Sequence, residues 1–507
     1  MNKKHIIIKG AIILTLAGFA SRIIGFFYRI FLSYTIGAEG MGIYQLIFPI
    51  YAMSCSLTAS GIQTAISKFV SGKMAVGDKK GARNIFITGL TISLALSALA
   101  CYILFYYADF ISVQFLEETR CAELLRLLAY SVPFAAVHSC INGYYYGLRR
   151  TNVPAITQLI ESLVRMRTSY FLYIIFIEKG IAITPALAVY GMVTEEVVSF
   201  LLCSTIIAVH FGNENYKDTP TSSMVTNFKE MLSLSTPLTL NRVLLNLLQS
   251  MEALFIPLRL RVYGMDVSTS LSTYGVLTGM SIPLILFPSA ITASASTLLL
   301  PTVSEAQSAQ DGTRITVTIE NTIKYSLILG ILCTGVFLAL GNEMGEVLFH
   351  SDLAGPFILT LSWICPFLYR TTTLTSVLNG LGKTTTTFIQ STIGLLLRIG
   401  FVWFAVPLFG ISGYLWGLLA SELVIAFMAL RSLKKEYDYS YHVQASIVLP
   451  VLALVLSIGI ILFARQAVHS LGFVPPPLIE LFSLAILLTL SYVLLLIVFR
   501  VIKLPAK

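Results

Sequence analysis

Residues Gly10–Ile36 read GAIILTLAGFASRIIGFFYRIFLSYTI. An apolar helix needs about 20 residues to cross a bilayer, and this stretch is long enough. Two arginines interrupt it, Arg22 and Arg29. They lie two helical turns apart and share one face, which Gly18 and Gly25 complete. The other faces are Ile, Leu and Phe. A guanidinium at mid-bilayer depth is expensive unless it faces protein or a wet cavity. The stretch therefore predicts a membrane helix whose cationic stripe lines a central cavity.

The whole chain agrees with a membrane setting. Of 507 residues 56% are hydrophobic and 12% charged, with mean hydropathy +0.82; a soluble chain has about a quarter of its residues charged. Long apolar runs recur from end to end, without the alternation of a membrane β-barrel. The first run is too long for a cleavable signal peptide. The net charge of +9 reads as cytoplasmic loop bias, with no nucleic-acid partner. The seven cysteines lie mostly within apolar runs and form no CxxC pair, so they are read as packing residues with no metal or disulfide role.

Fourteen spans are expected, near 10–34, 43–67, 84–107, 122–146, 153–177, 184–210, 230–257, 272–300, 315–340, 354–381, 385–407, 411–432, 444–466 and 478–500. Placing the N-terminus inside puts twenty basic residues in cytoplasmic segments. They include Lys3, Lys4, Lys9, the run Lys68 to Arg83, Lys217, Lys434, Lys503 and Lys507. Five lie opposite: Arg120, Lys179, Arg259, Arg261 and Arg465. That bias predicts a multi-pass protein of the cytoplasmic membrane with both termini inside.

An internal repeat organises the spans. Pro49 is matched by Pro283, Pro133-Phe134 by Pro366-Phe367, Asn142-Gly143 by Asn379-Gly380, and Arg165 by Arg398. Tyr190-Gly191-x4-Glu196 recurs as Trp416-Gly417-x4-Glu422, and Ser21-Arg22-Ile23 answers Asn241-Arg242-Val243. The matches keep one order at nearly one offset. The expected fold is an all-α polytopic membrane protein with two six-helix lobes, 1–225 and 226–436, and two further helices in 437–507. A parallel repeat of this kind is a transporter architecture with its site between the halves.

Seven arginines lie five or more residues inside the ends of the spans: Arg22, Arg29, Arg165, Arg167, Arg242, Arg370 and Arg398. Arg22, Arg165, Arg242 and Arg398 each lie about a dozen residues, near 18 Å, from the cytoplasmic end. Polar neighbours at helical spacing, Gln63, Gln158, Asn246, Gln249 and Gln390, mark inward faces. Glu161 precedes Arg165 by four residues, the order of an intrahelical ion pair. Glu196 and Glu422 are alternative partners for Arg165 and Arg398. His138 reads either as a core histidine or as a coupling group. Glu252 lies ten residues beyond Arg242 on the same helix. Arg22, Arg29 and Arg242 have few acids at their depth, which favours an anionic, phosphorylated ligand held by guanidinium forks.

Catalytic motifs are missing. Asn379-Gly-Leu-Gly-Lys-Thr-Thr resembles a phosphate loop, but Val377 stands where its first glycine belongs and no strand precedes it. There is no HExxH and no GxSxG. Catalytic residues, cofactors and metals are not expected, and the chain is not read as an enzyme.

Several strings carry a family resemblance: Lys9-Gly10-x-Ile12-Ile13-Leu14, Ser21-Arg22-x2-Gly25-x3-Arg29, Ile36-Gly37-x-Glu39-Gly40-x-Gly42-x-Tyr44, Ala65-Ile66-Ser67-Lys68 and Gly143-Tyr-x-x-Gly147. They resemble the stage V sporulation protein B-like polysaccharide flippases of the multidrug/oligosaccharidyl-lipid/polysaccharide (MOP) exporter superfamily. The resemblance implies alternating access around a central cavity and a lipid-linked, diphosphate-bearing saccharide as substrate. It implies cavity arginines at Arg22 and Arg29, and a lipid-tail groove on residues 444–500. It also implies membrane lipids and envelope-synthesis enzymes as partners, in cell-wall or spore-cortex synthesis. Two alternatives stand beside this reading. One is a cation-coupled multidrug exporter, which would want a carboxylate-rich cavity; the other is a non-transporting envelope scaffold.

Overall fold

The computed structural model describes residues 3–213, 224–440, 442–472 and 475–502. Lys217, Lys503 and Lys507 of the expected inner basic set lie outside the described residues. Every regular element among the described residues is helical. The chain divides into two compact units, Met1–Leu258 and Arg259–Lys507.

In the first unit, α1 runs Lys3–Cys55 and breaks at Gly37, whose φ of 68° lies in the left-handed region. A Cβ would strain that backbone, so glycine is what allows two helices to meet without a loop. A widened π turn, Ser56–Ser60, leads into α2, Gly61–Ala75. Then come α3 Lys79–Tyr106, α4 Cys121–Ala129, α5 Ser131–Gly147, α6 Asn152–Glu178 and α7 Ala186–Gly212. α8, Met224–Val262, belongs almost wholly to this unit. The second unit holds α9 Val267–Gly275, α10 Ser289–Ser308, α11 Gly312–Phe349, α12 Ala354–Ser362, α13 Cys365–Gly380, α14 Thr384–Phe404 and α15 Ile411–Lys434. It ends with α16 Leu449–Ser470 and α17 Pro477–Val498.

Ten helical stretches among the described residues are long and apolar enough to cross a membrane, or eleven if α4 and α5, bent by 41°, count as one span. The first, Ile12–Ala75, has 64 residues. Straightened, it would measure about 96 Å, three times a hydrocarbon core of about 30 Å; the Gly37 break falls within it. Two of the expected spans fail the test for visible reasons. α6 carries Glu161, Arg165 and Arg167, and 354–381 is built from two short helices, α12 and α13.

The same kinds of pairs pack in both units. In the first, α2 and α3 pack on α5, α5 on α7, and α6 on α7; in the second, α10 and α11 pack on α13, α13 on α15, and α14 on α15. Glycines mark these seams. A Cβ on Gly143 would sit 2.7 Å from the Gln63 carbonyl, and one on Gly380 2.9 Å from the Leu300 carbonyl. α16 and α17 lie on α11, where Leu454 fills the space beside Gly335 and the Tyr492 hydroxyl donates to the Ile328 carbonyl at 3.0 Å.

Candidate functional site

The first segment of α1 packs on α6. Its small residues make the seam: Ser21 Oγ donates to the Gln158 carbonyl at 3.2 Å, and Gly18 faces the Gln158 side chain. That contact turns Arg22 outward. Arg22 is exposed and makes no hydrogen bond or ion pair with a described residue. Two turns on, Arg29 is half-buried among Tyr28, Tyr44 and Arg165, and its Nη1 is buried without a hydrogen-bond partner. Buried donors in native folds are nearly always bonded. The stripe therefore holds one guanidinium that is open and one with a donor left over.

Beside it, Arg165 Nε bonds Glu195 Oε2 at 2.5 Å. Glu195 is 3% exposed. Gly191 makes the approach of α7 possible, because a Cβ there would lie 2.4 Å from Ser169 Oγ and 3.1 Å from the Arg165 carbonyl. The Ser169 hydroxyl meets that of Tyr28 at 3.0 Å, tying α6 back to the stripe.

A second cluster joins four segments. His138 of α5 lies between Glu161 of α6, at 3.6 Å from Nε2, and Glu196 of α7, at 3.0 Å from Nδ1. The Tyr51 hydroxyl of α1 donates to Glu196 Oε1 at 2.7 Å. Neither acid pairs with Arg165. The alternatives of an Arg165 pair with Glu161 or with Glu196 both give way to Glu195, one residue along and on the Gly191 face. Glu195 and Tyr51 were not singled out from the sequence. Glu195 follows Gly191 by four, so the small residue that lets α7 approach also names the acid facing α6.

On α8, Arg242 Nη1 donates to the Ser60 carbonyl at 3.0 Å, and Asn246 Nδ2 to Ser56 Oγ at 2.5 Å. Gln249 is exposed and Glu252 buried. Gln63 packs on Gly143, and Gln158 and Arg167 are exposed.

In the second unit, Arg370 lies over the Phe367 ring at 5.5 Å. Gln390 is buried and donates to Ser432 Oγ at 3.1 Å. Arg398 on α14 and Glu422 on α15 are half-buried. Outside the spans, Arg120 bridges Glu39 at 2.8 Å and Glu118 at 2.7 Å; its hydrogen bonds to Glu118, then Glu39, raise the guanidinium pKa further. Among the described residues no group of three or more His, Cys, Asp or Glu side chains is arranged to hold a metal ion.

A family profile described as "Polysaccharide biosynthesis protein" matches residues 7–307, more than half of the chain and all of this constellation in the first unit. The chain belongs to that family. Stage V sporulation protein B of Bacillus subtilis (strain 168) is 28% identical over 453 residues, covering 87% of this chain and 86% of its own length. The solved structure of the lipid II flippase MurJ in an inward closed conformation aligns with a TM-score of 0.70 at 17% identity, covering 96% of this chain and 99% of that one. An inward-facing multidrug resistance MATE family transporter of the MOP superfamily aligns at 0.67 and 17% identity, covering 86% and 100%. This member of the polysaccharide biosynthesis family is thus a multi-span membrane protein with the MOP-superfamily fold, and the two aligned structures are a flippase and a transporter.

Proposed function

We propose that this protein flips an undecaprenyl-diphosphate-linked glycan or peptidoglycan precursor from the inner to the outer leaflet of the cytoplasmic membrane by alternating access. Its termini are cytoplasmic, and its product feeds envelope or spore-cortex synthesis. The observation that carries this reading is the α1 stripe. Among the described residues Arg22 is open and has no partner, and Arg29 keeps a buried donor unused. Guanidinium groups stay charged at any physiological pH and bind phosphate oxygens in bidentate fashion. The diphosphate is held on the stripe while the polyprenyl tail remains in lipid. The inside-negative potential favours outward movement of the anion by about 2.3 kcal/mol per charge per 100 mV. Within the first unit Arg165 and Arg242 add to the substrate-binding cations, with Gln63, Gln158, Gln249 and Asn246 as neutral donors; Arg370, Arg398 and Gln390 have those roles in the second unit.

The cluster of His138, Glu161 and Glu196 favours a second reading, cation-coupled export of drugs. The two separate in a deletion strain. Lipid-linked intermediates accumulating in the membrane, identified by mass spectrometry, support the flippase; lost drug efflux with intact envelope synthesis supports the exporter.

A further inference from the structure

α8 is attached to its unit unlike its neighbours. Among the described residues it enters none of the extensive helix pairs that bind the other long helices of the first unit. Met231 anchors its first turns in the hydrophobic core of the unit, and beyond that point the contact with residues 56–64 is a narrow polar strip. Gly61 abuts the Thr239 hydroxyl and the Ser235 carbonyl so closely that a Cβ would overlap both. One turn further on, Arg242 reaches the Ser60 carbonyl, and Asn246 reaches Ser56. Ser56 and Ser60 bound the π turn, where the wider winding disturbs the regular carbonyl ladder; such turns are frequent at functional sites. The Ser60 carbonyl also accepts from the Thr64 hydroxyl at 3.1 Å.

With Met231 remaining in the core as the anchor, the strip beyond it is made of polar contacts, which separate at little hydrophobic cost. Its one charged member has only neutral acceptors. Arg242 donates to a carbonyl at 3.0 Å and, at the weak limit of 3.5 Å, to Thr64 Oγ1, and its side chain is exposed. Hydrogen bonds between ionised partners are about twice as strong as neutral ones. A diphosphate within reach would outbid the Ser60 carbonyl for the guanidinium.

We propose that residues 56–64 and 235–246 form a gate, that Arg242 is its bolt, and that an anionic diphosphate headgroup releases the gate by taking over the Arg242 donors. This rests on the reading of the substrate as a diphosphate. Arg242 then has two partner sets in turn, the π-turn carbonyl when the gate is shut and phosphate oxygens when it opens. Opening is thereby tied to the presence of cargo.

The test uses the detergent-solubilised full chain carrying Ser56→Cys and Asn246→Cys, with the yield of that disulfide under mild oxidation read by peptide mass spectrometry. Inorganic pyrophosphate is the probe, and its binding is followed separately by the shift in Tm. The expected yield is high without probe and falls about tenfold with it, the factor for losing a charge-assisted hydrogen bond. Arg242→Gln should give the low yield with or without pyrophosphate. Gly61→Leu should wedge the strip apart and lower the yield while pyrophosphate still raises Tm. A yield that pyrophosphate leaves unchanged while raising Tm overturns the gate and spares the substrate reading. So does an Arg242→Gln yield equal to that with Arg242 in place. If pyrophosphate does not shift Tm with Arg22 and Arg242 intact, the diphosphate reading falls and takes the gate with it.

Discussion

The two units use one packing scheme and fill it differently. In the first, α6 meets α7 through the Arg165–Glu195 pair, with His138, Glu161, Glu196 and Tyr51 alongside. At the positions that the sequence offsets set against each other, Gly394 answers Glu161, Ser421 answers Glu195 and Ile285 answers Tyr51. There α14 meets α15 through the Ser421 hydroxyl on the Gly394 carbonyl at 3.0 Å, and Ile425 fills the space a Cβ on Gly394 would need. Arg398 and Glu422 persist where Arg165 and Glu196 stand. The second unit is the packed version of a seam that the first has loaded with charge. The lesson is that the charges of the first unit are not required by the architecture, since the same helices pair without most of them.

This contrast predicts unequal costs at matched positions. The largest effect belongs to Glu195→Ala, which leaves Arg165 without its ion-pair partner in the seam. Because the Arg165 side chain is 32% exposed, the loss should sit at the low end for a broken buried pair, about 3 kcal/mol. Ser421→Ala removes one neutral hydrogen bond and should cost about 1 kcal/mol. Thermal unfolding in detergent compares them, and equal losses would erase the distinction between the seams.

The shared part of the scheme should respond alike. Gly191→Ala drives a Cβ against Ser169 and Arg165, and Gly417→Ala drives one against Phe401 at 2.6 Å. Each should cost about 2 kcal/mol as overpacking. If Gly191→Ala alone is damaging, the two seams differ in geometry as well as in charge.

The smallest effect is expected at the outer edge of the first unit. Arg120→Ala removes the bridges to Glu39 and Glu118, but its side chain is 50% exposed. A loss below about 1 kcal/mol follows, shrinking in salt. A larger, salt-independent loss in the same unfolding assay would show this corner to be part of the charged seam.

Much of this was legible in the chain itself. Apolar runs and their helical spacing locate the ten or eleven membrane-length stretches found among the described residues, because in lipid the backbone must satisfy itself. The α1 stripe stands out since arginine is rare at that depth. Partners were harder to read. Glu195 and Glu196 are adjacent, and a step of one residue turns a helix by about 100°, so the choice between them depends on how closely α7 approaches at Gly191. Tyr51 lies in an apolar run and looks like packing until its hydroxyl is seen on Glu196. α8 answers α1 in the repeat yet belongs to the first unit, because a sequence repeat records correspondence and the strip along Ser56–Thr64 records packing.

The central claim is that the open cation on α1 holds the cargo's diphosphate, and one measurement addresses it most directly. A strain depleted of this protein is complemented with Arg22→Ala, and membrane levels of the variant and of lipid-linked saccharide intermediates are measured together. Arg22 has no partner among the described residues, so the variant should reach the membrane at the native level. The account predicts loss of complementation and accumulation of intermediates to the level of the uncomplemented strain. Full complementation by Arg22→Ala, with intermediates at the native level, would contradict it.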